Sequence, residues 1–116
     1  MRILLVDDSW EVLNVLTHLL QGPEIEIHAA DTCAMAEARA AVNVYDWAVV
    51  DFDLHGSDGM DVLRRIRRYS RRTRLLVFSA DADDSALRTE ALVAGAEAVF
   101  TKPLQVAELC EYIREG

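Results

Sequence analysis

Five polar residues of this 116-residue sequence lie at or just after the ends of short apolar runs. They are Asp7, Asp8, Asp51, Ser79 and Lys102. Carboxylate oxygens suit a hard cation such as Mg²⁺, which typically binds one or two carboxylates together with phosphate oxygens. A lysine and a hydroxyl can hold and offset the charge of a phosphoryl group. The residue types therefore indicate phosphoryl transfer, provided that the fold brings them together.

The segments between these residues alternate between strand and helix patterns. Continuous apolar runs, typical of strands covered on both faces, occupy 3–6, 47–50, 75–78 and 98–100. A further run, 24–29, alternates isoleucine with charged or polar residues, which is typical of a half-exposed strand at a sheet edge. Apolar residues at helical spacing follow each run. The chain is therefore predicted to contain five consecutive βα units.

Five βα units predict an α/β fold: a flavodoxin-like (βα)5 single domain with helices on both faces of a parallel sheet. The strand order 2-1-3-4-5 places the amphipathic second strand at an edge, as its pattern requires. Ligands of such open sheets bind outside the carboxyl ends of the strands. The fold would thus bring all five polar residues together at the carboxyl edge of the sheet. Carboxylates side by side repel each other unless a cation is present.

The length and composition fit one folded domain that binds neither membranes nor nucleic acid. The chain is 52% hydrophobic, and no apolar run approaches the roughly 18–20 residues of a membrane helix. The N-terminal apolar run is too short for a signal peptide, so we expect a cytoplasmic protein. A net charge of −8 disfavours nucleic-acid binding. We expect residues 1–116 to form one domain, with no output domain in the chain.

The sequence resembles the response-regulator receiver domain of two-component signal transduction over essentially its whole length. The resemblance rests on five motifs in order: Val6-Asp7-Asp8, Val49-Val50-Asp51-Phe52-Asp53-Leu54, Gly56-Ser57-Asp58-Gly59, Phe78-Ser79-Ala80 and Thr101-Lys102-Pro103. It implies a phosphorylation-dependent switch rather than a turnover enzyme. It also implies a sensor histidine kinase or a phosphotransfer protein as the partner that supplies the phosphoryl group from a phosphohistidine.

The resemblance assigns the acidic residues to phosphate uptake and metal binding. Asp51 would be the phosphoacceptor. Asp8 would bind Mg²⁺ directly, and Asp7 would bind it directly or through water. Asp53 would offer its backbone carbonyl to the same ion, to which Asp51 would also be a ligand.

The remaining motifs are implied to hold the phosphoryl group and to pass on the signal. Ser79 would hydrogen-bond one phosphoryl oxygen and Lys102 would pair with another. The Lys102–Pro103 bond would be cis, as it commonly is in this family. Phosphorylation would change the surface of helix 4, strand 5 and helix 5, which would also serve for a homodimer.

Two positions depart from the family pattern. His55 stands where a proline is usual in the loop after the phosphoacceptor. Val99 stands where the family usually has the tyrosine or phenylalanine that rotates on activation, with Phe100 beside it. Adjacent strand residues point to opposite faces, so Phe100 would not substitute for that aromatic. We therefore expect activation to run mainly through the loop before helix 4 and through helix 4.

Other interpretations of the same residues remain open. Asp51-Phe52-Asp53 also fits the paired aspartates of haloacid-dehalogenase-like phosphatases, with Asp51 as nucleophile and Asp53 as general acid. The order of the motifs argues against it, because the acidic pair Asp7-Asp8 precedes that motif here and follows it in those enzymes. Asp7 and Asp8, taken alone, would equally suit helix capping.

The basic residues are concentrated in one segment. Seven of the twelve lie between Arg64 and Arg74. Arginines at the end of a helix complement its dipole, so a solvated helix end is one interpretation. A docking patch for an acidic partner is the second, and a nucleic-acid surface is a more remote third.

Overall fold

The computed structural model describes residues 1–54 and 57–116. Its main sheet has five parallel strands in the order β2-β1-β3-β4-β5. The strands are β1 (Arg2–Val6), β2 (Glu26–Ala30), β3 (Trp47–Val50), β4 (Arg74–Ser79) and β5 (Ala96–Thr101). The helices are α1 (Trp10–Leu20), α2 (Cys33–Val42), α3 (Gly59–Tyr69), α4 (Ser85–Val93) and α5 (Val106–Glu115). The predicted flavodoxin-like fold and strand order are confirmed.

The sheet separates two buried apolar layers because alternate strand residues point to opposite faces. One layer joins Leu4 and Val6 of β1 to side chains of α2, α3 and α4, such as Leu63. The other joins Ile3 and Leu5 to side chains of α1 and α5. Helices therefore cover both faces, and both layers hold the strand ends in fixed positions. None of the described helices is long and apolar enough to cross a membrane.

The edge strand β2 begins two residues later than its alternating pattern predicts. The Ile25 backbone N–H donates to the carbonyl of Gly22 at 3.2 Å, which holds the segment before Glu26 in a turn. The strand pairs only with β1 among the described residues, and most of its side chains stay half-buried. The prediction of an edge position is confirmed.

Each of the first four helices begins at a polar cap near the carboxyl edge of the sheet. The capping side chains are those of Ser9, Thr32, Asp58 and Asp84. A short antiparallel ladder, Asp53–Leu54 with Ser57–Asp58, connects β3 to α3. The helices are thus fixed at the edge where the polar residues lie.

Candidate functional site

The carboxyl ends of four neighbouring strands bring the predicted residues together. The Asp51 N–H donates to the carbonyl of Val6 at 2.9 Å, so β1 and β3 stay paired up to the aspartates. The Lys102 N–H donates to the carbonyl of Ser79 at 2.9 Å and joins β5 to β4 in the same way. These backbone hydrogen bonds just beyond the strands thereby fix the positions of Asp51 and Lys102.

Asp7, Asp8 and Asp51 form one carboxylate cluster. One oxygen from each lies within 4.8 Å of the other two. Asp7 and Asp51 are buried, with 3% and 6% of their surface exposed, while Asp8 is half-buried. An all-oxygen donor set of this size fits a small hard dication such as Mg²⁺. The cluster therefore meets the chemical requirement for the metal that the sequence predicts.

Lys102 bridges two of these carboxylates. Its Nζ lies 2.5 Å from Asp7 Oδ2 and 3.1 Å from Asp51 Oδ2. Burial alone would lower the pKa of Lys102, but the hydrogen bond to Asp7 and the charge of Asp51 outweigh burial and raise it. The ammonium also lies 5.7 Å from the centre of the Phe78 ring, within the range of a cation–π contact. The lysine is thus held charged beside Asp51.

The pKa of Asp51 is raised well above its ordinary value. Burial raises its pKa to about 6, and the charge of Lys102 offsets only part of this effect. Asp7 raises the pKa further by like-charge repulsion, while the Asp53 N–H, 3.3 Å from Asp51 Oδ1, lowers it. Burial therefore raises this pKa more than the repulsion between carboxylates that the sequence predicts. A cation at the cluster would favour the ionised form of Asp51.

Asp7 does not cap α1, although the sequence leaves that interpretation open. Its Oδ1 accepts the N–H of Ser9 at 2.9 Å, and Ser9 itself caps the helix through its hydroxyl. The other oxygen of Asp7 faces Lys102. The short turn around Ser9 therefore fixes the orientation of the Asp7 carboxylate.

Ser79 ends the strand next to β3, and the N–H of Asp53 lies 3.3 Å from Asp51 Oδ1. Ser79 is the last residue of β4 and is 1% exposed, and its hydroxyl accepts the N–H of Asp81 at 3.1 Å. Asp53 lies just after Asp51, with an exposed side chain. The predicted contacts of Ser79 with a phosphoryl oxygen, and of the Asp53 carbonyl with a metal, stay predictions.

Gly59 supports the site in a way that the motif alone does not predict. A Cβ on this residue would lie 2.4 Å from the carbonyl oxygen of Asp51 and 2.6 Å from the Cα of Phe52. The first residue of α3 therefore packs directly on the backbone that presents Asp51. A glycine placed just after a polar loop is the sequence signal for this close approach.

We expect Gly59→Ala to destabilise the fold by about 2 kcal/mol, because backbone atoms must shift to admit the methyl group. Chemical denaturation would measure this loss. Gly22→Ala is the matched control, since its Cβ would meet only the Ile25 side chain, at 3.3 Å. Equal losses in the two variants would show that the contact with Asp51 is not the cause.

The predictions for the atypical positions have different outcomes. Val99 packs in the layer with α2 and α3, whereas Phe100 packs in the layer with α1 and α5. The prediction that these neighbours face opposite sides is confirmed. The Lys102–Pro103 bond is cis, as expected. His55 lies outside the described residues.

Comparisons with known proteins agree with this geometry. The response regulator receiver domain family matches residues 3–114 of the chain. The transcriptional regulatory protein CutR of Streptomyces coelicolor is 33% identical over 114 residues, covering 98% of this chain and 52% of CutR. KdpE, the KDP operon transcriptional regulatory protein of Escherichia coli, is 29% identical and is covered over 49% of its length. The chain thus spans about half the length of these relatives.

Solved structures show the same fold. A CheY-like receiver domain protein from Methanospirillum hungatei superposes with a TM-score of 0.90 at 25% identity, covering 98% of this chain and 90% of that one. A LuxR-family two-component response regulator from Aurantimonas superposes with a TM-score of 0.86 at 31% identity, covering 98% and 82%. With the motifs, the strand order and the family match in agreement, this chain belongs to the response regulator receiver domain family.

Proposed function

We propose that the chain accepts a phosphoryl group onto Asp51 and works as a phosphorylation-dependent switch. The observation that carries the proposal is the position of Asp51. This aspartate is buried at the end of a central strand, within reach of Lys102 and beside two further carboxylates. Carboxylates in such sites are nucleophiles that form aspartyl phosphates. The phosphoryl donor would be the phosphohistidine of a sensor histidine kinase or of a phosphotransfer protein.

Asp7, Asp8 and Asp51 would hold Mg²⁺, together with the carbonyl of Asp53. The support for this assignment is the oxygen-only cluster within 4.8 Å. When bound, Mg²⁺ would offset negative charge on the carboxylates and on the incoming phosphoryl group.

The protein side chains would do the rest of the transfer. An Asp51 oxygen attacks phosphorus, an O–P bond forms, and the N–P bond to the donor histidine breaks. Lys102, held charged 3.1 Å from Asp51, would pair with a phosphoryl oxygen. The hydroxyl of Ser79 would donate to another oxygen. Burial of Asp51 keeps bulk water away from the reacting atoms.

Incubation with Mg²⁺ and a small acyl phosphate tests this function. We expect one hydroxylamine-labile phosphoryl group per chain and no sustained turnover of a generic phosphatase substrate. The phosphatase alternative, in which Asp53 as general acid would protonate the leaving group while Asp51 attacks, predicts many turnovers instead. Sustained turnover that depends on both aspartates would overturn the switch proposal.

We expect Mg²⁺ to stabilise the unphosphorylated protein, because the ion relieves repulsion among the three carboxylates. At about ten times the dissociation constant the gain is about 1.4 kcal/mol. Thermal melting with and without Mg²⁺ would measure it. Asp8→Asn should reduce the gain, whereas Glu111→Gln, at an exposed position of α5, should not. A melting temperature unchanged at millimolar Mg²⁺ would exclude a metal site here.

The signal would leave the site through Ser79. The Ser79 hydroxyl that would turn toward the phosphoryl group now accepts the N–H of Asp81. Its movement would release that N–H and pull the loop that also contains the fully buried Ala82. Helix α4 follows this loop, and Ala91 is the single buried residue among its nine. Elements with few buried contacts open most readily, so α4 is suited to move.

We therefore expect a beryllofluoride phosphoryl mimic to produce its largest remote amide shifts between Ala80 and Leu92. An amide-shift map with and without the mimic measures this directly. Val99 is small and buried, with a stiff χ1, so it cannot make the large swing of an aromatic side chain. Shifts centred on Val99 and Phe100, with an unchanged loop, would contradict this route.

The proposal extends to partners and location. The surface of α4, β5 and α5 would carry the signal to a target or to a second copy in a homodimer. The family match supports a sensor kinase as the partner, because receiver domains are signalling domains that work with sensor kinases. We propose a cytoplasmic location and no direct contact of this domain with membranes or nucleic acid.

A further inference from the structure

The basic cluster of residues 64–74 contains seven arginines, and three of them are used within the fold. These three are Arg65, which pairs with Asp61 and Glu37, Arg67, which donates to four backbone carbonyls, and Arg74, which pairs with Glu97. Intramolecular contacts therefore explain only part of the cluster.

The other four arginines, Arg64, Arg68, Arg71 and Arg72, are exposed and make no ion pair with any residue in 1–54 or 57–116. Arg64, Arg68 and Arg71 line one surface groove together with the backbone-bound Arg67. We name these four lining residues the arginine groove. Arg64, Arg67 and Arg68, at i, i+3 and i+4, share one face at the C-terminal end of α3, and Arg71 follows two residues after the helix ends at Tyr69.

The helix dipole does not explain the whole arginine groove. Arg67 and Arg68 lie in the last turn of α3, where positive charge is favourable. Arg64 lies a full turn earlier, and like charges at i, i+4, such as Arg64 and Arg68, destabilise a helix. The protein as a whole carries a net charge of −8, so this face is a local patch of opposite sign that would attract an anionic partner.

We propose that the arginine groove is a docking site for a short acidic segment, rich in Asp or Glu, of a partner protein. Guanidinium groups form bidentate pairs with carboxylates, which an ammonium cannot do, and the three exposed lining residues, Arg64, Arg68 and Arg71, are all arginine. A groove lined by four side chains matches a short peptide segment. This surface lies outside the phosphoacceptor site and goes beyond the proposed switch function.

The same features disfavour a nucleic acid or a membrane as the ligand of the arginine groove. A nucleic-acid backbone would run past the short groove onto a protein surface whose net charge is negative. The groove has no apolar lining residue that would enter a bilayer interface. A compact acidic peptide meets only the arginines.

Fluorescence anisotropy with a labelled octaglutamate peptide, at about 0.1 M salt, tests the proposal. We expect the protein to bind this probe, and Arg64→Glu/Arg68→Glu to weaken binding by roughly tenfold or more. Arg72→Glu/Arg88→Glu is the matched control, because both residues are exposed, lie outside the groove and change the net charge equally. Arg64→Lys/Arg68→Lys keeps the charge and removes the bidentate geometry, so it should bind less tightly than the parent.

Four results would overturn the proposal: no binding by the parent protein, equal losses in the groove variant and the control, no loss in the lysine variant, or tighter binding of a single-stranded oligonucleotide than of octaglutamate. Circular dichroism of each variant would confirm that the helix is retained. Because Arg64 and Arg68 are exposed, the substitutions should leave the fold intact.

Discussion

Asp51→Asn should abolish phosphoryl uptake from a small acyl phosphate, with a loss of roughly a hundredfold or more. The substitution keeps the size of the side chain but removes the carboxylate that attacks phosphorus. Lys102 also pairs with Asp7 at 2.5 Å, a contact that the substitution does not remove, so the site should keep its shape. Intact-mass measurement after incubation with Mg²⁺ and the acyl phosphate would quantify the loss.

Asp83→Asn is the control for this substitution. Asp83 is an exposed residue of the loop before α4 and has the same charge as Asp51. Its variant should take up the phosphoryl group like the parent. Uptake by Asp51→Asn at the parental rate would show that another residue is the acceptor.

The stability of the metal-free protein should fall as the pH rises through about 6. Burial raises the pKa of Asp51 from 3.8 to about 6, so the fold favours the neutral carboxyl group. The stabilisation is complete below pH 3.8 and is lost as the pH rises through the folded-state pKa. The total change corresponds to about 3 kcal/mol, of which about 2 kcal/mol falls between pH 4.5 and 7.5.

Denaturation of the parent and of Asp51→Asn across this pH range, with a chelator present, measures the effect. The variant cannot ionise at residue 51. Between pH 4.5 and 7.5 the free energy of unfolding of the parent should therefore fall by about 2 kcal/mol relative to that of the variant. Glu97, whose pKa the Arg74 guanidinium lowers, contributes equally in both proteins and so does not affect the difference. Parallel curves would mean that the Asp51 carboxyl does not carry the perturbed pKa.

The sequence predicts the gathering of the site because strand ends are visible in the hydrophobic pattern. Runs that end at Asp7, Asp51 and Ser79 must end at the same edge of a parallel sheet. The alternating pattern of the second strand also predicts its edge position, and hence the strand order. The periodicity of apolar residues is therefore enough to predict the fold and to predict which aspartates lie in the carboxylate cluster.

Hydrophobic periodicity does not predict the contacts between side chains. The pattern places Lys102 at the carboxyl edge of the sheet but does not show that it contacts Asp7 more closely than Asp51, which depends on the turn around Ser9. The close approach of Gly59 to the Asp51 carbonyl and the Phe78 ring near Lys102 depend on how α3 and β4 pack. The dominance of burial in the Asp51 pKa likewise follows from the depth of the site.

Mapping the phosphoryl group after a single incubation tests the central claim most directly. The protein would be treated with Mg²⁺ and a small acyl phosphate, trapped by borohydride reduction of the acyl phosphate, digested, and sequenced by tandem mass spectrometry. We expect one modified residue, Asp51, at close to one group per chain. Modification of Asp7, Asp8 or Asp53 instead, or no modification at all, would contradict the account.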